Sequence, residues 1–142
     1  MRKLWLFFAC WLLVAGSFAQ DRQASFQIFW NQFRTAVLSG DKVRVANLTH
    51  FPFETRGPTD NDPVRRYQRK AFIGLYDGLL KQPIYFLEGG KSISKTMRSV
   101  IEEKVEIRDR DVLTDNFARI EDFEFKRLNG HWRFTRAYTE EP

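Results

Sequence analysis

The chain has 142 residues, of which 43% are hydrophobic and 29% are charged, and its formal net charge is +5. This length suits one compact domain and is short for two independent cores. The composition excludes an intrinsically disordered or low-complexity chain. After residue 19 no apolar run approaches the ~18–20 residues that cross a bilayer, so we predict no stable membrane span.

Residues 1–19 have the pattern of a bacterial secretory signal. Two basic residues open the segment, an apolar run follows from Leu4 to Val14, and the small residues Ser17 and Ala19 precede the expected cleavage site. We therefore predict export to the periplasm or the medium after cleavage near Ala19, which leaves a single α+β domain over 20–142. An uncleaved membrane anchor is the alternative.

The only cysteine, Cys10, lies inside the apolar run and is predicted to leave with it. Apolar residues follow Cys10 where a lipoprotein would have a polar tether, which argues against lipidation. The remaining domain then has no disulfide, thiol nucleophile or cysteine metal ligand. Its formal charge falls to +3, and an exported domain of that charge is not expected to bind nucleic acid.

The first half of the domain carries two helical patterns. The longer one begins at Ser25 and places large apolar residues at helical spacing, at Phe26, Phe29, Trp30, Phe33 and Val37. A Ser-Gly pair at 39–40 ends this helix. Asp41 then caps a short second helix over 42–47, in which Val43 and Ala46 are expected to face inward.

An extended segment and a loop follow. Residues 50–55 have the pattern of a strand, and Pro52 predicts an edge position or a bulge because proline cannot donate to a strand ladder. Residues 56–63 are rich in Gly, Pro, Asp and Asn, which indicates a loop. Asp62 and Pro63 are expected to start a third helix, as its cap and first position.

That third helix carries apolar residues at Val64, Tyr67, Ala71, Phe72, Leu75, Tyr76 and Leu79. Pro83 is expected to end it, and Gly89 and Gly90 mark a turn. The stretch 91–107 fits a helix and a strand equally well, because its short periodic segments do not distinguish the two.

The strongest local signal is a carboxyl-terminal hairpin around Asn129-Gly130, the favoured two-residue type I′ turn. Its register pairs Phe125 with Phe134 and Phe123 with Arg136. One face is then aromatic and also holds Arg136; its aromatic members are Phe123, Phe125, Trp132, Phe134 and Tyr138. The opposite face is predicted to meet solvent, with Glu124, Lys126, Arg133 and Thr135.

The element order predicts an α+β fold, with a curved antiparallel sheet covered on one face by the amino-terminal helices. Four features resemble the nuclear-transport-factor-2-like superfamily, which includes ketosteroid isomerase and the SnoaL-like polyketide cyclases. They are helix 26–37 followed by Ser39-Gly40-Asp41, the segment Phe51-Pro52-Phe53, helix 69–80, and the closing stretch 129–134. The chain looks like the small exported bacterial members that have no assigned activity.

The resemblance implies a cone-shaped fold whose open end forms a pocket between the sheet and the helices. Members of the superfamily use that pocket for catalysis or binding, or dimerise through the sheet. The isomerase branch needs a carboxylate base opposite a tyrosine and a protonated acid. No acid lies mid-strand on the aromatic face here, so we predict no catalytic residue.

The candidates for the pocket are polar-tipped residues set among apolar ones: Trp30, His50, Tyr67, Tyr76, Tyr85 and Arg136. A buried Arg136 needs an acidic partner or an anionic ligand, unless its head reaches water at the sheet rim. Basic residues near the start of the third helix predict an anion site, with a solvated helix face as the alternative. They are Arg56, Arg65, Arg66 and Arg69, followed by Lys70.

Neither a metal nor a cofactor is predicted. The chain has two histidines, His50 and His131, which are too few for a zinc site without cysteines. The hydroxyl-rich stretch 92–99 lacks the glycines of a nucleophile elbow. The segment Gly89-Gly90-Lys91-Ser92 lacks the spacing of a phosphate loop.

These patterns favour an exported module without catalysis, which binds a small apolar or anionic ligand or another protein. A homodimer through the sheet is an expected variant of that role. The alternative is a small isomerase-, cyclase- or hydrolase-like enzyme that uses His50 or a pocket tyrosine as acid or base. A third hypothesis is a structural partner in an envelope complex.

Overall fold

The computed structural model describes residues 14–140, and their side chains from residue 20 onward. Within this range the helices are α1 (Val14–Leu38), α2 (Lys42–Asn47), α3 (Arg69–Lys81) and α4 (Met97–Glu103). The strands are β1 (Thr49–Arg56), β2 (Arg65–Tyr67), β3 (Pro83–Glu88), β4 (Lys91–Thr96), β5 (Val112–Thr114), β6 (Phe117–Ile120), β7 (Phe123–Leu128) and β8 (His131–Tyr138). The side chains of the predicted signal peptide, and all of residues 1–13, lie outside the described residues.

Six strands form one mixed sheet in the order β2-β1-β8-β7-β6-β5, and β3 pairs only with β4 in a separate hairpin. The predicted α+β class is confirmed. The predicted antiparallel sheet is wrong at its centre, where β1 and β8 run parallel. They can do so because the long connection through α3 and α4 lets the chain return in the same direction.

Aromatic rings join the helices to one face of this sheet, the core face. Phe125 of β7 lies edge-on to Phe26, Phe29, Trp30 and Phe33 of α1, with ring centroids 5.3–5.9 Å apart. The predicted helical stripe is therefore confirmed, although α1 begins at Val14 rather than Ser25. Such edge-to-face pairs add about 0.5–1.5 kcal/mol each beyond their buried area.

Helix α3 covers the same face at the other end of the sheet. Phe72 packs edge-on against Phe53 of β1, with centroids 4.9 Å apart, and Phe53 in turn contacts Phe134 at 4.7 Å. The core is therefore continuous from α1 to α3. No helix in the described part of the chain has both the length and the apolar character that a membrane span requires.

Local capping signals locate α2 correctly. The Asp41 carboxylate accepts a hydrogen bond from the Arg44 amide at 2.9 Å, as a cap does. The expected inward turn of Val43 is wrong, since 58% of Val43 is exposed. With six residues this helix buries one narrow strip, which consists of Val45 and Ala46.

The predicted start of the third helix at Asp62-Pro63 is wrong. Asp62 closes a turn instead, because its carboxylate accepts from the Thr59 amide at 2.7 Å. Residues 65–67 then pair with β1 as strand β2, so Val64 and Tyr67 do not belong to α3. The end of α3 at Lys81, just before Pro83, is as predicted.

The undecided stretch 91–107 forms a strand and then a helix. Gly89 and Gly90 both have positive φ and close the β3–β4 hairpin. Thr96 ends β4 and caps α4, since its hydroxyl accepts from the Ser99 amide at 3.1 Å. Strand β4 therefore continues up to Thr96, and helix α4 begins at the next residue.

The carboxyl-terminal hairpin contains a β-bulge that the residue pattern does not predict. The expected pairing of Phe125 with Phe134 is confirmed, but Phe123 lies opposite Ala137 rather than Arg136. The extra residue is Thr135, whose hydroxyl donates to the Glu124 carbonyl at 3.1 Å. Arg136 and Tyr138 are thereby moved from the aromatic face to the outer face of the sheet, and Ala137 enters the core.

Candidate functional site

An open groove of about 320 Å³ lies between α3 and the core face of β1 and β2. Its lining residues are Thr55, Arg65, Tyr67, Gly74, Leu75, Gly78, Leu79, Gln82 and Thr139. Gly74 and Gly78 stand one helical turn apart on the groove side of α3. A Cβ atom at either position would meet nothing within 4 Å. Two glycines in a helix cost stability, and here their effect is to leave the groove unfilled.

The polar groups of this groove are hydroxyls, an amide and one cation. The Thr55 hydroxyl donates to the Tyr67 phenolic oxygen at 3.5 Å across β1 and β2. Arg65 forms no ion pair with any residue in the described part of the chain. The described lining of the groove also contains no carboxylate. Leu75 and Leu79 supply an apolar wall. The groove therefore suits a molecule with an apolar body and an anionic or hydrogen-bonding end.

Of the six predicted pocket residues, Tyr67 alone lines this groove. Trp30 is buried in the core, where its indole nitrogen donates to the Lys104 carbonyl at 2.7 Å. Tyr76 is also buried, and burial raises the pKa of its hydroxyl to about 12. His50 is exposed on β1. Tyr85 lines a second groove beside β3.

The predicted anion site at the start of α3 is not assembled. Arg65 and Arg66 lie on β2 rather than on the helix, because the chain pairs with β1 there. Arg66 binds the Glu54 carboxylate at 3.2 Å, and Arg69 donates to the Asn47 side chain at 2.7 Å. Arg56 donates to the backbone carbonyl of Asp60. Arg65 is thus the one member of the predicted set that lines the groove.

Arg136 has acidic partners, one of the two outcomes expected if it was buried. On the outer face Arg66, Glu54, Arg136, Glu124 and Arg119 stand directly opposite one another on β2, β1, β8, β7 and β6. We call this row of alternating charges the charge ladder. Within it Arg136 pairs with carboxylates, and it does not line the groove beside α3.

Two carboxylates hold Arg136 within the charge ladder. Its Nη2 lies 2.5 Å from Glu54 Oε2, and its Nη1 lies 3.7 Å from Glu124 Oε2. Burial raises the pKa of Glu54, but the hydrogen bond and charge of Arg136, followed by Arg66, outweigh burial and lower it below the ordinary 4.5. Glu124 is buried and also accepts from the Tyr138 hydroxyl at 2.7 Å.

A second groove of about 330 Å³ separates β3 from one end of the main sheet. Its described lining is acidic and aromatic: Pro58, Asp60, Ile84, Tyr85, Arg119, Glu121, Asp122, Tyr138, Thr139 and Glu140. Burial raises the pKa of Asp122, although the charge of Arg119 opposes that shift. Among the described residues no three His, Cys, Asp or Glu side chains are placed to hold a metal ion.

Several residues of these sites escape sequence reasoning. The signal for the first groove is the Gly-x-x-x-Gly spacing of Gly74 and Gly78, which interrupts an otherwise regular amphipathic helix. Thr55 and Thr139 carry no comparable signal, because they meet α3 only through the parallel pairing of β1 with β8. Comparison with known proteins adds no further assignment: the chain matches no family model, no curated protein and no solved structure.

Proposed function

We propose that the protein is an exported binding protein that holds a small amphipathic anion in the groove between α3 and the sheet. The observation that carries this proposal is the groove itself. Two glycines keep it open, leucines line one wall, and its lining includes Arg65, which has no ion-pair partner among the described residues. A groove of this size, with apolar walls and few polar groups, is typical of small-molecule sites.

We further propose that the domain has the cone-shaped fold of the nuclear-transport-factor-2-like superfamily. Helices α1 and α3 pack on one face of the six-stranded sheet, through Phe33 and Phe72. The groove lies between α3 and the sheet, and the resemblance implies a pocket between the helices and the sheet. A hairpin pair, β3 and β4, stands apart from the sheet.

The chemistry of the lining indicates the ligand class. Arg65 can pair with a carboxylate or another oxyanion, and the Tyr67 hydroxyl, which accepts from Thr55, can donate to its oxygens. Leu75 and Leu79 exclude water from an alkyl or aromatic body. A medium-chain or aryl carboxylate matches both requirements.

Isothermal titration with octanoate, 1-octanol and octylamine tests this proposal. We expect octanoate to bind most tightly, because only its carboxylate pairs with Arg65. Arg65→Gln should remove that preference, whereas Arg44→Gln, which alters an exposed arginine outside the described groove lining, should preserve it. Equal affinity for octanoate and octylamine in the unmodified protein would overturn the proposal.

Filling the groove provides a second test. Gly78→Leu places a side chain into the open space beside Leu79 and should abolish octanoate binding. The same change should raise stability by about 1 kcal/mol, because leucine is a far better helix former than glycine. Retained binding in a folded Gly78→Leu protein would place the ligand elsewhere.

A further inference from the structure

The β3–β4 hairpin has an outer edge that no other described strand pairs with. Glu88 and Lys91 flank the two-residue loop and form its first hydrogen-bonded pair. Because such pairs alternate along an antiparallel ladder, the backbone groups of Tyr85 and Leu87 point away from β4. An added strand could therefore bond to both residues without disturbing the hairpin.

Between Pro83, which begins β3, and Glu88, which ends it, this β3 edge lacks the prolines and charged residues that protect edge strands. Tyr85 is 57% exposed and Leu87 is 83% exposed, and no charged residue separates them. On the β4 edge Lys91 and Lys95 supply the charges that discourage pairing with another strand. Of the two edges of the hairpin, β3 is thus the one open to an incoming strand.

The second groove lies beside the first half of β3, where Ile84 and Tyr85 line it, and we call the acidic residues of its described lining the acidic wall. The described lining contains four acidic residues, Asp60, Glu121, Asp122 and Glu140, and one basic residue, Arg119. Outside that lining, Arg56 pairs with the Asp60 carboxylate at 3.7 Å. The Arg119 guanidinium is already engaged: it lies 4.6 Å from the centre of the Tyr138 ring, and its Nε donates to the Glu121 carbonyl. In a chain whose net charge is +5, this wall is a local excess of negative charge.

We propose that the β3 edge binds an extended basic peptide, which adds to the hairpin as a third strand. Its backbone pairs with Tyr85 and Leu87, and its alternate side chains, lysine or arginine, reach the acidic wall. Charge complementarity selects this partner over the β3 edge of a second copy. Strand β3 contains no basic residue, so a second β3 would bring no cation to the wall.

The test uses a hexapeptide of alternating lysine and valine, with its glutamate-valine counterpart as control. Titration and amide hydrogen exchange are measured on the full protein. We expect the basic peptide alone to bind and to slow exchange of the Tyr85 and Leu87 amides. Binding of both peptides, binding of neither, or unchanged exchange at these two amides would overturn the proposal.

Two proline variants isolate the edge. Leu87→Pro removes an amide that points outward from β3, and Ser92→Pro removes the corresponding outward amide of β4. Both leave the hydrogen bonds of the hairpin intact, and thermal unfolding checks that both proteins fold. We expect Leu87→Pro to lower the affinity for the basic peptide by roughly tenfold, because one backbone hydrogen bond is lost. Ser92→Pro should have little effect on this affinity. Equal effects would contradict the assignment to β3.

A charge variant isolates the wall. Asp122→Asn with Glu140→Gln should weaken the basic peptide and reduce the dependence of its affinity on salt. Glu102→Gln with Glu106→Gln removes the same charge from exposed positions outside the groove lining. This control pair should change neither the affinity for the basic peptide nor its dependence on salt. If both pairs weaken binding equally, general attraction rather than this groove holds the peptide. Self-association that the peptide does not change would also overturn the proposal, in favour of a dimer.

Discussion

At the scale of single residues, Arg136 is the side chain whose environment differs most from its expected one. The bulge at Thr135 turns it outward, and Glu54 and Glu124 then hold it. Sequence reasoning recognises that a half-buried arginine needs an acid. It does not identify the acid, since Glu54 precedes Arg136 by 82 residues.

Removing Arg136 should be costly, because the buried Glu124 would lose the cation with which it forms an ion pair. We expect Arg136→Ala to lower the free energy of unfolding by about 3 kcal/mol. Arg66→Ala removes another arginine from the same Glu54, but Arg66 is largely exposed, and its loss should cost less than about 1 kcal/mol. Urea unfolding at pH 7 compares the two, and similar values for both would show that Glu124 does not depend on Arg136.

The lowered pKa of Glu54 predicts a pH dependence of defined sign. A carboxyl whose pKa is lower in the folded state stabilises the fold above its unfolded pKa, near 4.5. This contribution is lost as pH falls through the lower folded pKa. The stability difference between the unmodified protein and Glu54→Gln should therefore be constant from pH 7 to about pH 5 and shrink below pH 4.5. A difference that grew on acidification would contradict this assignment.

Removing the hydroxyl of Tyr76 and removing that of Tyr138 should change the free energy of unfolding in opposite directions. The Tyr76 hydroxyl is buried and has no hydrogen-bond partner among the described residues. We expect Tyr76→Phe to raise the free energy of unfolding by about 1 kcal/mol, because a buried unpaired hydroxyl is destabilising. Tyr138→Phe loses a bond to the charged Glu124 and should lower it by about 2 kcal/mol. A destabilised Tyr76→Phe would reveal a partner for that hydroxyl.

At the scale of elements, those specified by adjacent residues are predictable. Asp41 predicts α2 through its own cap, and Asn129-Gly130 predicts the last hairpin through its turn. Strand β2 is not predictable in this way, because Arg65–Tyr67 extends only by pairing with β1. The bulge at Thr135 is not predictable from adjacent residues either, since it depends on how β8 pairs with β7. Local chemistry thus determines caps and turns, whereas pairing determines short strands and faces.

The β3–β4 hairpin should be the least stable of the paired elements. It forms a sheet of its own, and two strands alone are marginally stable in water. We expect amide hydrogens over 84–95 to exchange faster than those over 123–138, which belong to the central sheet. Mass-spectrometric hydrogen exchange at pH 7 measures both. Equal protection would mean that the hairpin opens only when the whole domain unfolds.

At the scale of the whole molecule, the class of the fold is predictable and the site is not. The alternation of helical and strand periodicity is enough to indicate α+β. The groove requires Gly78 of α3, Thr55 of β1 and Thr139 after β8 to converge, and no pattern in the chain records that convergence. The six predicted pocket residues share polarity among apolar neighbours in the sequence, and that pattern is also typical of buried core residues whose polar atoms are hydrogen-bonded.

The proposed export also makes a prediction for the whole chain. The described core contacts of α1 begin at Phe26, so removal of residues 1–19 leaves them all in place. Protein recovered from the periplasm of a bacterial host should therefore begin at Gln20, as measured by mass spectrometry of the intact chain. A chain started at Gln20 should unfold at the same temperature as the recovered protein. Recovery of the full-length chain in the membrane fraction would favour the anchor instead.

The charge ladder has a consequence for how the strands find their alignment during folding. The alternation of hydrophobic residues disfavours a slip of one residue, because such a slip moves the buried side chains to the outer face. It does not disfavour a slip of two residues, which keeps each side chain on the same face. A two-residue slip of β7 in one direction would bring Lys126 opposite Arg136, and the same slip of β1 would bring Arg56 there. Each replaces an attractive pair by a repulsive one. The charge ladder therefore disfavours these two-residue slips, which the alternation of hydrophobic residues does not disfavour.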